Sequence, residues 1–385
     1  MYPDFKELLS VLNAHRVKYL VVGGYAVSIH AQPRATKDLD ILVKADADNA
    51  KAVFAALTQF GAPLRDLSAA DFAEEGPFFR MGREPVGVDI LTVIPGVEFD
   101  AAWQRRVEDV VDPASELKAT FISSEDLIAA KLASGRPQDL ADVEAIEKVR
   151  RLDLRARDAI IASTGAIFWG DETMIHNNGS MFFVDSGKAL FAITARHVYD
   201  HYFELSKRRR FVSPCRIDDL PFDPIERLLC LGKGRIDIAT FRFTRDELDR
   251  INRFPITWPP TAPEKDEFAL FCGIPGEGRS QNQTVATFTH FVGKLRIDNV
   301  SEATLSFHRP SNDRLTDITG KGLPPEDLRM GGMSGGPMTV LRDSAEGKIW
   351  TLAGVVSEGN PTFIQGTRAD FIRDNGSIKE VWEID

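Results

Sequence analysis

Two sets of residues in this 385-residue chain have the types and spacing to do chemistry. The first begins at Gly23 and Gly24 and continues, with thirteen residues between, to Asp38-Leu39-Asp40. The apolar run Leu39 to Val43 reads as a strand, and alternation along it sets Asp38 and Asp40 on one face with Leu39 on the other. Two carboxylates ~6–7 Å apart on one strand repel unless a cation lies between them. A hard ion such as Mg²⁺ suits that place, with a nucleoside triphosphate supplying the remaining oxygen ligands. Asp89 is a lone acid in a second apolar run, Val86 to Val93, and could approach the same pair. Gly23 and Gly24 stand at a strand-to-helix turn, where backbone can come close to phosphate and a helix N-terminus favours an anion.

The second set lies far downstream, in the strings ITARHV around His197, RIDIATF around Asp237 and GGMSGGP around Ser334. A histidine after an apolar strand carries little by itself, whereas G-x-S-G-G-P is demanding. Its glycines permit the positive φ angles and close packing that aim two N–H groups at one point, an oxyanion hole. Pro337 fixes the exit from the turn, and no strand-to-helix elbow is required, which suits a β-rich setting.

The elements that must position these residues differ between the two halves. Phe5, Leu8, Leu9 and Leu12 recur at helical spacing, and residues 18–22 read as a buried strand. A helix is expected over residues 47–60, closed by Gly61 and Pro63, and another from Ser123 to about Val149 with Ser123 or Ser124 as its cap. This is an α/β pattern ending in helices. Beyond Ala162 come short β-rich runs: 166–169, 181–184, 189–193, 236–243, 268–272, 285–292 and 350–356, separated by Gly, Pro, Asn and Asp. Two domains are therefore expected, residues 1–152 and 158–385, joined near Arg150–Asp158 by the end of a helix.

Composition narrows the class. Hydrophobic residues at 43% and charged residues at 27% describe a globular chain and exclude a disordered tail or a collagen-like repeat. No run reaches the ~18 apolar residues of a membrane span, and the first residues lack a secretion pattern, so a cytoplasmic, membrane-free protein is expected. Cys215, Cys230 and Cys272 are few and lack C-x-x-C spacing, consistent with free thiols and no structural zinc. Residues 1–150 hold 17 Lys/Arg against 24 Asp/Glu and the remainder 30 against 33, so neither half is the basic body of a duplex-binding protein. The run Lys207 to Arg210 is the local exception and reads as a solvated loop.

The glycine pair, the helix, the D-x-D on a strand and the later strand aspartate together resemble the nucleotidyltransferase superfamily, whose core is that of polymerase beta. The run VVGGYAVSIHAQPRATKDLDILV is similar in particular to small bacterial nucleotidyltransferases of the abortive-infection toxin type, over roughly residues 5–150. That resemblance implies that Asp38 and Asp40 bind Mg²⁺, that Asp89 is a third ligand and base, and that Gly23 and Gly24 hold the triphosphate. Lys131 and Arg136 are candidates for phosphate contacts, and Asp139 with Asp142 could position their segment through salt bridges. The implied reaction is attack on the α-phosphate of an NTP with loss of pyrophosphate, the acceptor being RNA, protein or a small molecule.

The histidine, aspartate and serine strings, in that order, resemble the trypsin-like serine peptidases over about residues 160–375. The resemblance implies a chymotrypsin-like double barrel with His197 as general base, Asp237 orienting it and Ser334 as nucleophile. The N–H groups of Gly332 and Ser334 would form the oxyanion hole. Met333 stands where many secreted members have an acid, which implies no zymogen-type activation, and Leu328 lies near the expected floor of the specificity pocket, with Asp327 and Glu358 nearby. The expected protein is thus a bacterial fusion of a nucleotidyltransferase and an endopeptidase acting on protein or peptide, suited to a conflict or anti-phage role. One alternative makes the first domain a nucleotide sensor that regulates the peptidase without turnover; another makes both domains inert interaction modules.

Overall fold

The computed structural model describes all residues except 32–34, 66, 77, 84–85, 113, 116, 171–173, 208–214, 282–285, 309–328, 345–346, 361 and 381–385. The described residues form two compact units that divide after Asp153.

The first unit contains α1 (Pro3–Ala14), β1 (Tyr19–Val22), α2 (Gly23–His30), β2 (Asp38–Val43), α3 (Ala47–Phe60), β3 (Phe78–Arg83), β4 (Val86–Leu91), α4 (Phe99–Gln104), β5 (Val107–Asp112), β6 (Leu117–Phe121), α5 (Ser124–Ser134) and the start of α6 (Pro137–Ala162). Its six strands form one sheet in the order β3-β4-β2-β1-β6-β5, with β2 antiparallel to β1 and parallel to β4. The helical stripe of Phe5, Leu8, Leu9 and Leu12 is buried, as is every residue of β1. Asp46 caps α3 by accepting from the Asp48 and Asn49 N–H groups, and Ser123 caps α5 by accepting from Asp126 N–H. The single helix expected over 123–149 is two helices. Gly135 adopts a left-handed conformation that ends α5, and Pro137, which lacks an N–H to satisfy, starts α6. No helix among the described residues is long and apolar enough to cross a membrane.

The second unit is built on two seven-stranded sheets. The first runs β11-β10-β7-β8-β9-β13-β12, from β7 (Thr164–Gly170), β8 (Ile175–Asp185), β9 (Leu190–Thr194), β10 (Arg216–Ile217), β11 (Leu220–Pro221), β12 (Leu228–Leu231) and β13 (Ala239–Arg242). Helices α7 (Arg196–Ser206) and α8 (Pro224–Arg227) interrupt this run, and α9 (Arg245–Arg250) follows it. A two-stranded ribbon of β15 (Arg279–Gln281) and β16 (Ala286–Phe288) follows β14 (Phe268–Gly273). With β14, the second sheet takes β17 (Phe291–Arg296), β18 (Asn299–Val300), β19 (Thr304–His308), β20 (Pro337–Ser344), β21 (Gly347–Asn360) and β22 (Phe363–Arg368), ordered β17-β14-β20-β21-β22-β19-β18. Strand alternation separates two cores here. Met181 and Phe183 join Ile167, Trp169, Phe241 and Tyr202 in one cluster. Phe182 and Val184 point the other way, into a cluster with Ile236, Ile238, Leu352 and Val355 that joins the two sheets. All three cysteines are free, and burial pushes the Cys272 thiol up to about 12.

The sheets place the two candidate sites. The strand expected over 236–243 is shorter, so Asp237 precedes β13 in a connection rather than lying in the ladder. The run expected over 285–292 divides into β16 and β17, and Val285 lies outside the described residues. Likewise Arg208 to Arg210, Asp327 and Leu328 lie outside them, while Lys207 pairs with Glu204 at 2.7 Å.

Candidate functional sites

In the first unit the register of the sheet builds an acidic row. Asp40 pairs across the ladder with Asp89 of β4 on one side and Val22 of β1 on the other, and Asp89 pairs in turn with Arg80 of β3. Asp38, two residues before Asp40, shares its face. Gly23, at φ +62°, starts α2 so close to this row that a Cβ there would lie 1.8 Å from Asp40 Oδ2. A side chain at that position is excluded both by the backbone angle and by space. Gly24 is buried in the first turn of the same helix.

Charge is concentrated here. Burial, then the neighbouring Asp89 and Asp38 carboxylates, push the Asp40 carboxyl up to about 6. Burial also raises Asp89, offset in part by Arg80, and Asp89 Oδ1 is buried without a hydrogen-bond partner. Arg80 reaches both remaining acids, at 3.1 Å from Asp89 Oδ2 and 3.4 Å from Asp38 Oδ2. The sequence reading missed Arg80, because only the pairing of β3 with β4 sets it opposite Asp89. Among the described residues no three His, Cys, Asp or Glu side chains gather about one point as a metal cage. The donor chemistry nevertheless fits a hard cation: carboxylate oxygens, one of them orphaned, that repel one another, with other ligands to come from phosphate.

Lys131 was expected at the triphosphate. Its ammonium is instead buried between Asp139 Oδ1 at 3.0 Å and Asp142 Oδ2 at 2.6 Å, and Arg136 Nε adds a 2.6 Å contact to Asp139. Burial alone would raise Asp139, but Arg136 and Lys131 hold it below the usual carboxylate range. A phosphate contact by Lys131 would have to break this pair. Its charge is still felt at Asp40, as is that of Arg136.

In the second unit His197 lies in the first turn of α7, a helix that the sequence reading missed behind β9. Asp237 engages it twice: Oδ2 stands 2.7 Å from Nδ1, and Oδ1 accepts the His197 backbone N–H at 2.9 Å. A carboxylate at Nδ1 keeps the proton there and leaves Nε2 free to act as base. Burial lowers the imidazole pKa, but the bond and charge of Asp237, with Asp200 and Glu358, more than offset it and raise it above its ordinary 6.5.

Ser334 Oγ donates to Ser357 O at 3.2 Å in β21, the strand beside its loop, rather than to His197. Gly332 sits at φ +97°, and among the described residues neither Gly332 N–H nor Ser334 N–H has a carbonyl acceptor. Met333 between them is buried and donates its own N–H back to Met330 O at 3.0 Å.

What holds this loop is Ser180 of β8, fully buried. Its N–H donates to Ser334 O at 2.8 Å, its Oγ donates to Gly332 O at 2.8 Å, and the same Oγ accepts Ile274 N–H at 2.8 Å. Ser180 immediately precedes the run 181–184 that reads as a strand, and nothing local in the sequence marks the latch.

Residues 4–180 match a family described as a nucleotidyltransferase of unknown function (DUF6036). Among solved structures, a thermostable serine protease from an extremophilic microorganism is similar at 16% identity, over 55% of this chain and 92% of that one, with a TM-score of 0.31. A protease from M. tuberculosis in its active form is similar at 16% identity, over 57% and 81%, with a TM-score of 0.31. The serine protease domain of the Sesbania mosaic virus polyprotein is similar at 14% identity, over 54% and 88%, with a TM-score of 0.29. No curated protein matches the chain in sequence.

Proposed function

We propose that residues 158–385 are a serine endopeptidase of the chymotrypsin-like double-barrel type. The observation that carries this reading is the two-point junction of His197 with Asp237, 2.7 Å at the ring and 2.9 Å at the backbone. Ser334 attacks the scissile carbonyl once its hydroxyl turns from Ser357 O to His197 Nε2. As the new C–O bond forms, Nε2 takes the hydroxyl proton and Asp237 stabilises the imidazolium. The carbonyl oxygen, now carrying the charge, is received by the Gly332 and Ser334 N–H groups. His197 then returns the proton to the leaving amine, and water releases the acyl group by the same steps in reverse. A fluorophosphonate should label Ser334 in the wild type, fail in His197→Ala and label slowly in Asp237→Asn. The wild-type rate should climb with pH through a value above 6.5, because only the neutral imidazole is a base. Unchanged labelling in His197→Ala would refute the triad.

For residues 1–152 the proposal is transfer of a nucleoside monophosphate from an NTP, supported by the family match and the acidic row. Asp38 and Asp40 would hold Mg²⁺, Asp89 would serve as ligand and base, and Gly23 with Gly24 would receive the triphosphate. When bound, the ion would supply neutralisation of phosphate charge and a lower pKa for the attacking hydroxyl. A second reading, nucleotide binding without transfer that governs the peptidase, is favoured by Arg80, which already neutralises Asp38 and Asp89. Labelled NTP incubated with cell extract separates them: covalent transfer that is lost in Asp38→Ala supports the first, and retention without transfer supports the second. A peptidase joined to such a domain would suit bacterial conflict with phage.

A further inference from the structure

The register of the first unit leaves one row of its sheet bare of side chains beyond an aspartate. Asp38 of β2 pairs with Gly87 of β4, and Gly87 pairs with Gly82 of β3. Two residues along, on the same face, the row reads Asp40, Asp89, Arg80. A side chain at Gly87 would crowd both neighbours, since a Cβ there would lie 2.9 Å from Asp38 Oδ1 and 3.1 Å from Arg80 Nη2. Because β4 offers no side chain at that point, the guanidinium reaches across it from β3. It bridges Asp89 Oδ2 at 3.1 Å and Asp38 Oδ2 at 3.4 Å.

Arg80 is thereby the chain's own counter-cation for acids that the proposed function assigns to an ion. Its side chain is 55% exposed, so it can leave without opening the core. A divalent ion that arrives alone must displace it and strand its charge. Such an ion also finds few ligands, because among the described residues no three His, Cys, Asp or Glu side chains gather about one point. An ion that arrives with a polyphosphate brings the missing oxygens, and with them an anion for the displaced guanidinium. Arginine donors match phosphate oxygens in pairs. Lys131, the lysine expected at the triphosphate, is already buried against Asp139 and Asp142.

We propose that Arg80 makes ion binding conditional on polyphosphate. It holds the acids against a bare divalent ion, and it turns to phosphate when ion and polyphosphate enter together. The proposal rests on the nucleotidyltransferase reading of this unit and deepens it. The two ligands are then positively coupled through one side chain, and linkage makes that coupling reciprocal. Removing the charge helps the bare ion and harms the ion–polyphosphate complex, opposite effects that a structural defect does not produce.

The test uses the full-length chain with Mn²⁺ alone, read by the paramagnetic resonance of the free ion, and with preformed Mn²⁺–tripolyphosphate, read by calorimetry. Arg80→Gln should bind Mn²⁺ alone about threefold to tenfold more tightly than the wild type, the range expected for two exposed ion pairs. The same variant should bind the complex at least about threefold more weakly. Arg80→Lys keeps the charge and should stay near the wild type for the bare ion. Asp40→Asn should lose both, which locates the ion in the acidic row, while hydrogen exchange of β3 and β4 peptides reports that each variant remains folded. Unchanged Mn²⁺ affinity in Arg80→Gln, or complex binding as tight as in the wild type, overturns the proposal and leaves the nucleotidyltransferase reading intact. Absence of Mn²⁺ binding in the wild type with and without tripolyphosphate, or binding that persists in Asp40→Asn, overturns that reading and the proposal with it.

Discussion

Replacing Asp40 with asparagine should stabilise the first unit while removing its proposed chemistry. The carboxyl is pushed up to about 6 from 3.8, chiefly by burial and then by Asp89 and Asp38. The unfolded chain releases this proton near its ordinary value, and the folded chain holds it to a higher pH. Asp40 therefore costs almost nothing in acid, and stability falls as pH rises between the two values, then levels off. A gap of roughly two pKa units corresponds to about 3 kcal/mol above that window, and under about 1 kcal/mol at pH 4. Asparagine cannot ionise, so Asp40→Asn should gain those amounts at pH 8 and pH 4 respectively. Hydrogen exchange of β1 and β2 peptides in the full-length chain reads the stability of this unit separately from the other. Equal protection of wild type and variant at pH 8, or a gain that is the same at both pH values, would refute the reasoning.

Two further outcomes follow from the contacts described. Ser180→Ala removes the hydroxyl bridging Gly332 O and Ile274 N–H, so kcat for peptide cleavage should fall about tenfold or more with KM little changed, since only the oxyanion loop is loosened; a change confined to KM would contradict the latch. Lys131→Met leaves Asp139 and Asp142 buried beside an absent ammonium and should cost about 3–5 kcal/mol, recovered when both acids are also made asparagine. Loss of nucleotide transfer by Lys131→Met with unchanged hydrogen exchange would instead favour a phosphate contact.

The sequence showed most where a pattern repeats within a few residues. Alternation in the Asp38–Asp40 run and the glycines around Ser334 are local, and so are the stripe of α1 and the cap at Ser123. Partners that meet through the ladder were not legible. Arg80 lies opposite Asp89 only because β3 pairs with β4, and Ser180 reaches Gly332 across 152 residues of chain. The split of α5 from α6 was carried by local signals, Gly135 and Pro137, that the longer helical periodicity overrode. The surroundings of Lys131 were hidden for a different reason: a lysine on a helix reads as solvated or phosphate-seeking, and only packing shows it buried against two aspartates.

The two sites handle charge in opposite ways, and this bears on which of them is ready to act. The Asp237 carboxylate is satisfied by the His197 ring and backbone, while among the described residues the Gly332 and Ser334 N–H groups have no carbonyl acceptor, as the proposed oxyanion role requires. In the acidic row the reverse holds: Asp40 and Asp89 are held up, one oxygen is orphaned, and Arg80 spans Asp38 and Asp89. A divalent ion that enters such a row competes with the guanidinium for the same oxygens. Loss of Arg80 would remove that competitor and also raise the mutual repulsion of the acids. Both effects tighten cation binding, so the strength of that binding is set as much by a basic residue on β3 as by the aspartates themselves.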